Sequence, residues 1–140
     1  MYPTRKKIFA RRIKYRNAVF ETLIEWKIKN FDKKWSKFTE ETRQNALSLL
    51  VLNLRICYLE IEKPIAITFL NNQYCHFNTA TNTINICSPV SIISTLHEFA
   101  HWLHGSSEVF ACRWSVQLFK KVFKKSARKL TWHGHMLIKQ

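Results

Sequence analysis

Glycine and proline are scarce in this chain, at two and three residues in 140. Together with the lack of any stretch rich in serine, glutamine or glycine, this excludes long flexible linkers. No internal repeat recurs. No run approaches the roughly 20 apolar residues needed to cross a bilayer, and residues 1–16 are basic without the continuous apolar stretch of a signal peptide. The four cysteines, Cys57, Cys75, Cys87 and Cys112, form no C-x-x-C pair, which excludes a zinc ribbon or a redox dithiol of that spacing. They read as buried free thiols, which predicts a reducing, cytoplasmic setting. Acids are missing from one end altogether: residues 111–140 hold eight Lys or Arg and no Asp or Glu.

What is present is apolar and basic. Hydrophobic residues make up 46% of the chain, enough for a real core in a single domain. The net charge of +14 lies at the two ends, because residues 1–39 hold twelve cations against three acids while residues 40–110 hold three against six. That distribution predicts basic helices around a neutral or mildly acidic centre, able to attract nucleic acid, an anionic membrane or an acidic protein. Solvated helix faces would give the same composition.

Periodicity divides the chain further. Ile13, Phe20, Leu23, Ile24 and Phe31 recur at helical spacing and predict an amphipathic helix from about Arg11 to Phe31. Thr39 is a candidate N-cap followed by Glu40 and Glu41, opening a second helix to about Cys57. Residues 65–70 read as a strand buried on both faces, Asn71-Asn72 as a turn, Gln73 to Asn78 as the returning strand of a hairpin, and Thr83 to Cys87 as a third strand. Ser88-Pro89 fits a cap and first position for a helix over Val90 to His104, closed by Gly105; Ser106 or Ser107 can cap a last helix from Glu108 to Lys125. The expected fold is α+β, a small three-stranded sheet packed by about four helices, with a single domain over residues 1–140. Its parts are a basic helical stretch (1–60), a sheet with two further helices (61–125) and a C-terminal tail (126–140).

One cluster carries chemistry. His97 and His101 stand four residues apart, so on a helix both imidazoles project from one face and can hold one metal ion. Glu98 lies beside them, completing H-E-x-x-H, a spacing in which the histidines are ligands and the glutamate is a general base toward water. Two histidines and a glutamate inside an apolar helix would be costly to bury without a partner. A catalytic zinc takes three protein ligands. Glu108 is the preferred third, since the chain reverses at Gly105, and Ala111 and Ser115 would let the two helices approach closely. His104, His133, His135 and Cys112 remain alternatives, His104 fitting better as a substrate contact and Cys112 as a small hydrophobe in the stripe Val109, Cys112, Val116, Phe119, Phe123.

With these residues in place, the segment from about 83 to 123 resembles the zincin metallopeptidases. The run His97-Glu98-x-x-His101, a glycine turn and Glu108-x-x-Ala111 looks like the glutamate-zincins, including small peptidases of the ImmA/IrrE type found in bacteria and mobile elements. The resemblance implies His97, His101 and Glu108 as zinc ligands, Glu98 as base, a protein or peptide substrate, and a role for residues 83–87 in binding extended peptide by strand addition. The gap between His101 and Glu108 is shorter than that family's. The run His97 to Gly105 is also similar, more weakly, to the SprT and WLM proteases, which cut proteins crosslinked to DNA. The expected activity is therefore a small, monomeric zinc peptidase with no membrane association. The alternative is a nucleic-acid-binding protein of a phage or mobile element, with a structural or vestigial metal site. Trp26, Trp35, Trp102, Trp114 and Trp132 could stack on bases, though such residues more often pack cores.

Overall fold

The computed structural model describes residues 3–30, 34–71, 75–133 and 136–139, with side chains through residue 129. The architecture is α+β: four longer helices pack around and beneath a three-stranded mixed sheet. These helices are α2 (Asn17–Asn30), α3 (Glu40–Ile56), α4 (Ile92–His104) and α5 (Glu108–Val122). Short helices α1 (Arg5–Ile8) and α6 (Lys124–Arg128) flank them. The sheet is β1 (Ala66–Leu70), β2 (His76–Asn78) and β3 (Thr83–Cys87), and a separate antiparallel hairpin of β4 (Leu130–His133) and β5 (Met136–Lys139) occupies the expected tail.

The helix ends follow local chemistry where that chemistry is uncontested. Thr39 caps α3 by accepting from the Thr42 amide at 3.1 Å, with Glu40 and Glu41 in the first turn where the helix dipole favours them. The first long helix is shorter than expected, beginning at Asn17 instead of Arg11. Gln117 on α5 is the cause. Its amide donates to the carbonyls of Ile8 and Arg11, and its side-chain oxygen accepts from the Ile13 amide, so the connector's backbone is satisfied outside a helix.

Helix α4 also starts late. Ser88 and Pro89, the expected cap and first position, lie before it across a cis peptide bond, and Ser91 is the cap. Glu40 explains the shift, because its two carboxylate oxygens take the Ser88 hydroxyl at 2.9 Å and the Val90 amide at 3.2 Å. At the other end, α5 stops at Val122, where Phe123 leaves the helical conformation, and α6 follows.

The sheet order corrects the expected hairpin. Strand β3 lies between the other two, parallel to β1 and antiparallel to β2, in the order β1-β3-β2. Ile84 and Ile86 drive this: both are fully buried against α4, so the strand that carries them takes the centre. Strand β1, expected to be buried on both faces, is a half-exposed edge. Gln73, the expected start of β2, lies outside the described residues. Cys75 and Cys87 form a disulfide joining the entry of β2 to the end of β3, which replaces two of the four expected free thiols; Cys57 and Cys112 are not disulfide-bonded.

The core lies between the helices. Val19, Leu23 and Trp26 of α2, Leu47, Leu50, Val51 and Leu54 of α3, and Leu118 and Phe119 of α5 surround α4, which contributes Leu96, Phe99, Ala100 and Trp102. Trp26, Trp102 and Trp114 are all buried, so none presents a base-stacking surface. Trp26 and Trp102 satisfy their indole N–H groups on the Ala46 and Pro64 carbonyls. No helix among the described residues is long and apolar enough to cross a membrane.

Candidate metal centre

The centre lies where α4 ends and α5 begins. Gly105 closes α4 with φ +86 and ψ −148, a conformation open essentially only to glycine, and its amide donates to the His101 carbonyl at 2.8 Å. Ser107 then caps α5 by accepting from the Phe110 amide. This tight reversal makes Glu108 the first residue of α5 and returns its carboxylate over α4. Buried Ala111 and Ser115 face the junction, and Ser115 Oγ donates to the Ala111 carbonyl, so no polar atom of that pair obstructs the approach.

His97 Nε2, His101 Nε2 and the Glu108 carboxylate converge. The two ring nitrogens are 3.2 Å apart, His101 Nε2 is 2.7 Å from Glu108 Oε1, and His97 Nε2 is 3.2 Å from Glu108 Oε2. Both histidines are 7% exposed, whereas the Glu108 side chain is half exposed, so the centre opens to solvent on the α5 side.

Protonation sharpens what this convergence means. His101 Nδ1 lies 2.7 Å from the Gly105 carbonyl oxygen, which can only accept, so that nitrogen carries the proton. Neutral His101 therefore presents a lone pair from Nε2 toward a carboxylate. Such a meeting is unfavourable unless a positive charge lies between, as a second proton on His101 or as a metal ion. Burial holds the His97 imidazole below its ordinary pKa, which favours the neutral, ligating form.

The donor set fits a metal. Three donors on a tetrahedral ion at about 2.0–2.1 Å stand roughly 3.3 Å apart, close to the two separations of 3.2 Å found here, while His101 and Glu108 stand closer at 2.7 Å. Cys112 Sγ lies 3.7 Å from His97 Nδ1, on the other ring nitrogen from the one that meets His101 and Glu108, and with His97 and Glu108 it forms a second group of donor atoms within 4.8 Å of one another. A carboxylate oxygen of Glu98 lies within 4.8 Å of a ring nitrogen of each histidine. It is 5% exposed, and its Oε2 is buried with no hydrogen-bond partner among the described residues. Burial pushes this carboxyl up to about 7. A buried acceptor without a partner is costly, and here it flanks the donor cluster.

The other candidates fall elsewhere. His104 packs its ring at a tilt against Phe110, with centroids 4.0 Å apart, on the exposed side of the turn. His135 and the side chain of His133 lie outside what the structure describes. Residues 83–87 cannot add a peptide strand, since β3 is paired on both sides. The sheet's free edges belong to β1 and β2, and β2 is the one packed against α4. Sequence reasoning missed the Gly105 carbonyl, although a glycine four residues after His101 was its visible sign. It also missed Glu40, whose hold on the start of α4 leaves no local trace. Comparison of the chain with protein-family models, curated proteins and solved structures gives no match in any of the three. The functional reading therefore rests on the geometry of this centre.

Proposed function

We propose that the chain is a small zinc-dependent hydrolase that cleaves peptide bonds, with His97, His101 and Glu108 as ligands and Glu98 as general base. The observation that carries this reading is the convergence of two buried imidazoles and a carboxylate beside the unpartnered Glu98 oxygen. Neutral histidines and a carboxylate suit zinc, and two histidines with one glutamate are a ligand set for catalytic sites that keep a position open. Zinc held there would lower the pKa of its water toward about 7 and polarise the substrate carbonyl.

The chain's own groups do the rest. The Gly105 carbonyl fixes the tautomer and direction of His101, as a backbone partner does for many ligating histidines. Cys112 borders the corresponding nitrogen of His97. Glu98 Oε2 takes a proton from the attacking water and passes it to the leaving amine, the pattern of one group acting first as base and then as acid. Extended substrate pairs along the free edge of β2, the edge beside the metal helix, which supports a peptide as substrate.

Metal content and cleavage together test the proposal. Wild type purified without added metal carries about one zinc per chain, and His101→Ala and Glu108→Ala lose it. Glu98→Gln keeps the metal while cleavage of an unbiased peptide library falls by about 10²–10⁴-fold. Zinc-loaded wild type that cleaves nothing in the library overturns the hydrolase reading. Zinc retained in Glu108→Ala removes that residue from the ligand set.

A further inference from the structure

The whole excess charge of this protein belongs to two segments. Residues 3–20 and 109–129 each contain seven Lys or Arg and no acid, while the nine remaining cations are matched by the chain's nine acids. Although about a hundred residues apart in sequence, the two segments pack together, α1 against α5. Arg113 Nε donates to the Lys7 carbonyl at 2.8 Å, and Gln117 binds Ile8, Arg11 and Ile13 of the connector. The Lys120 ammonium sits 4.9 Å from the Phe9 ring centroid and that of Lys121 sits 5.3 Å from Phe20. Ile8, Cys112 and Val116 form a small buried cluster of their own beneath the joint.

We infer that the surface gathered around α5, with Lys6, Arg11, Arg12, Lys14, Lys120 and Lys124 exposed on it, binds the phosphate backbone of double-stranded nucleic acid. Bringing so many like charges together opposes folding through mutual repulsion, and the fold meets that opposition with a buried glutamine and a dedicated apolar cluster. A polyanion relieves the repulsion by displacing counterions. The apolar pattern selects nucleic acid over a lipid surface. Interfacial helices place a broad apolar face beside their cations, but among the described residues the exposed Leu49, Leu52, Ile56 and Leu59 belong to α3 and the turn after it and Ile24 and Ile28 to α2, which leaves Phe9 as the exposed large apolar residue within the two basic segments. Among the described residues Trp26, Trp102 and Trp114 are buried and the exposed Phe9 ring is taken by Lys120, which favours duplex over single strand, since single strands are held by open stacking rings. The inference goes beyond the hydrolase reading and does not depend on it. Glu108 opens α5 and the cations follow from Arg113 onward; Cys112 lies under the joint and also borders His97, so face and metal centre share a helix and that thiol but no charged residue.

The test measures binding to a mixed-sequence DNA duplex of about 20 base pairs as salt is raised from about 50 to 200 mM. Wild type is expected to lose about a thousandfold in affinity across that range, as six phosphate contacts would give. Arg11→Gln/Arg12→Gln/Lys124→Gln is expected to bind more weakly and to flatten the slope of log K against log salt by about 2 to 3, with circular dichroism, thermal midpoint and zinc content unchanged. Lys29→Gln/Lys34→Gln/Lys37→Gln removes the same charge elsewhere and is expected to leave slope and affinity close to wild type. Equal losses in both triple variants would reduce the effect to net charge and overturn the face. Absence of salt-sensitive duplex binding, or binding confined to vesicles containing phosphatidylserine, would overturn it as well.

Discussion

Helices α3 and α4 invert one another. On α3 the leucines and isoleucine of one face, Leu49, Leu52 and Ile56, are about half exposed or more, while α4 buries His97, Glu98 and His101 to 7% exposure or less. The two departures from apolar-inside, polar-outside packing are unequal. More than half of any folded surface is apolar, so exposed leucines carry little information, whereas buried ionisable groups cost several kcal/mol unless something compensates them. The comparison teaches that function is to be sought where α4 spends stability, and that the outer stripe of α3 is tolerated surface.

Substitutions can break or sharpen this contrast. Leu54→Ala on the buried side of α3 is expected to cost about 2–5 kcal/mol in chemical denaturation, because it removes a fully buried side chain from the centre of the core. Gly105→Ala comes next, at about 1–3 kcal/mol. A methyl group there meets nothing within 4 Å, so the cost is backbone conformation alone. Its second readout is zinc affinity, expected to fall by about 10–100-fold as the carbonyl that orients His101 moves; unchanged affinity with lowered stability would detach that carbonyl from the metal centre. Leu52→Ala is the smallest, within about 0.5 kcal/mol. A loss like that of Leu54→Ala would mean that the outer face of α3 is covered and that the contrast with α4 is false.

Much of the architecture was legible because local signals were unopposed. Thr39 and the two glutamates after it mark the start of α3 where the structure has it, and the i,i+4 histidines with Glu108 after a glycine turn mark the groups that converge. The misreadings share one cause, a distant partner that outcompetes a local preference. Ser88-Pro89 carries a good helix-start signal, but a carboxylate 48 residues earlier takes the Ser88 hydroxyl. Residues 11–16 follow a helical pattern, but Gln117 supplies their backbone partners from the other end of the chain. Asn71-Asn72 suggests a hairpin, but the buried isoleucines of β3 claim the central position. The Cys75–Cys87 link and the reversal of the Gly105 carbonyl belong to the same class, since neither has a spacing rule to announce it.

The glutamine clamp has a consequence for how the molecule comes into being. Its three bonds span 104 to 109 residues, so about a hundred residues are synthesised between the connector and the side chain that holds it. Until α5 emerges, the carbonyls of Ile8 and Arg11 have only water to bind, and contacts of such long sequence separation form late in folding. The basic segment ahead of α2 thus travels through synthesis as an undocked polycation, and the gathered charge comes into existence only once α5 has been made.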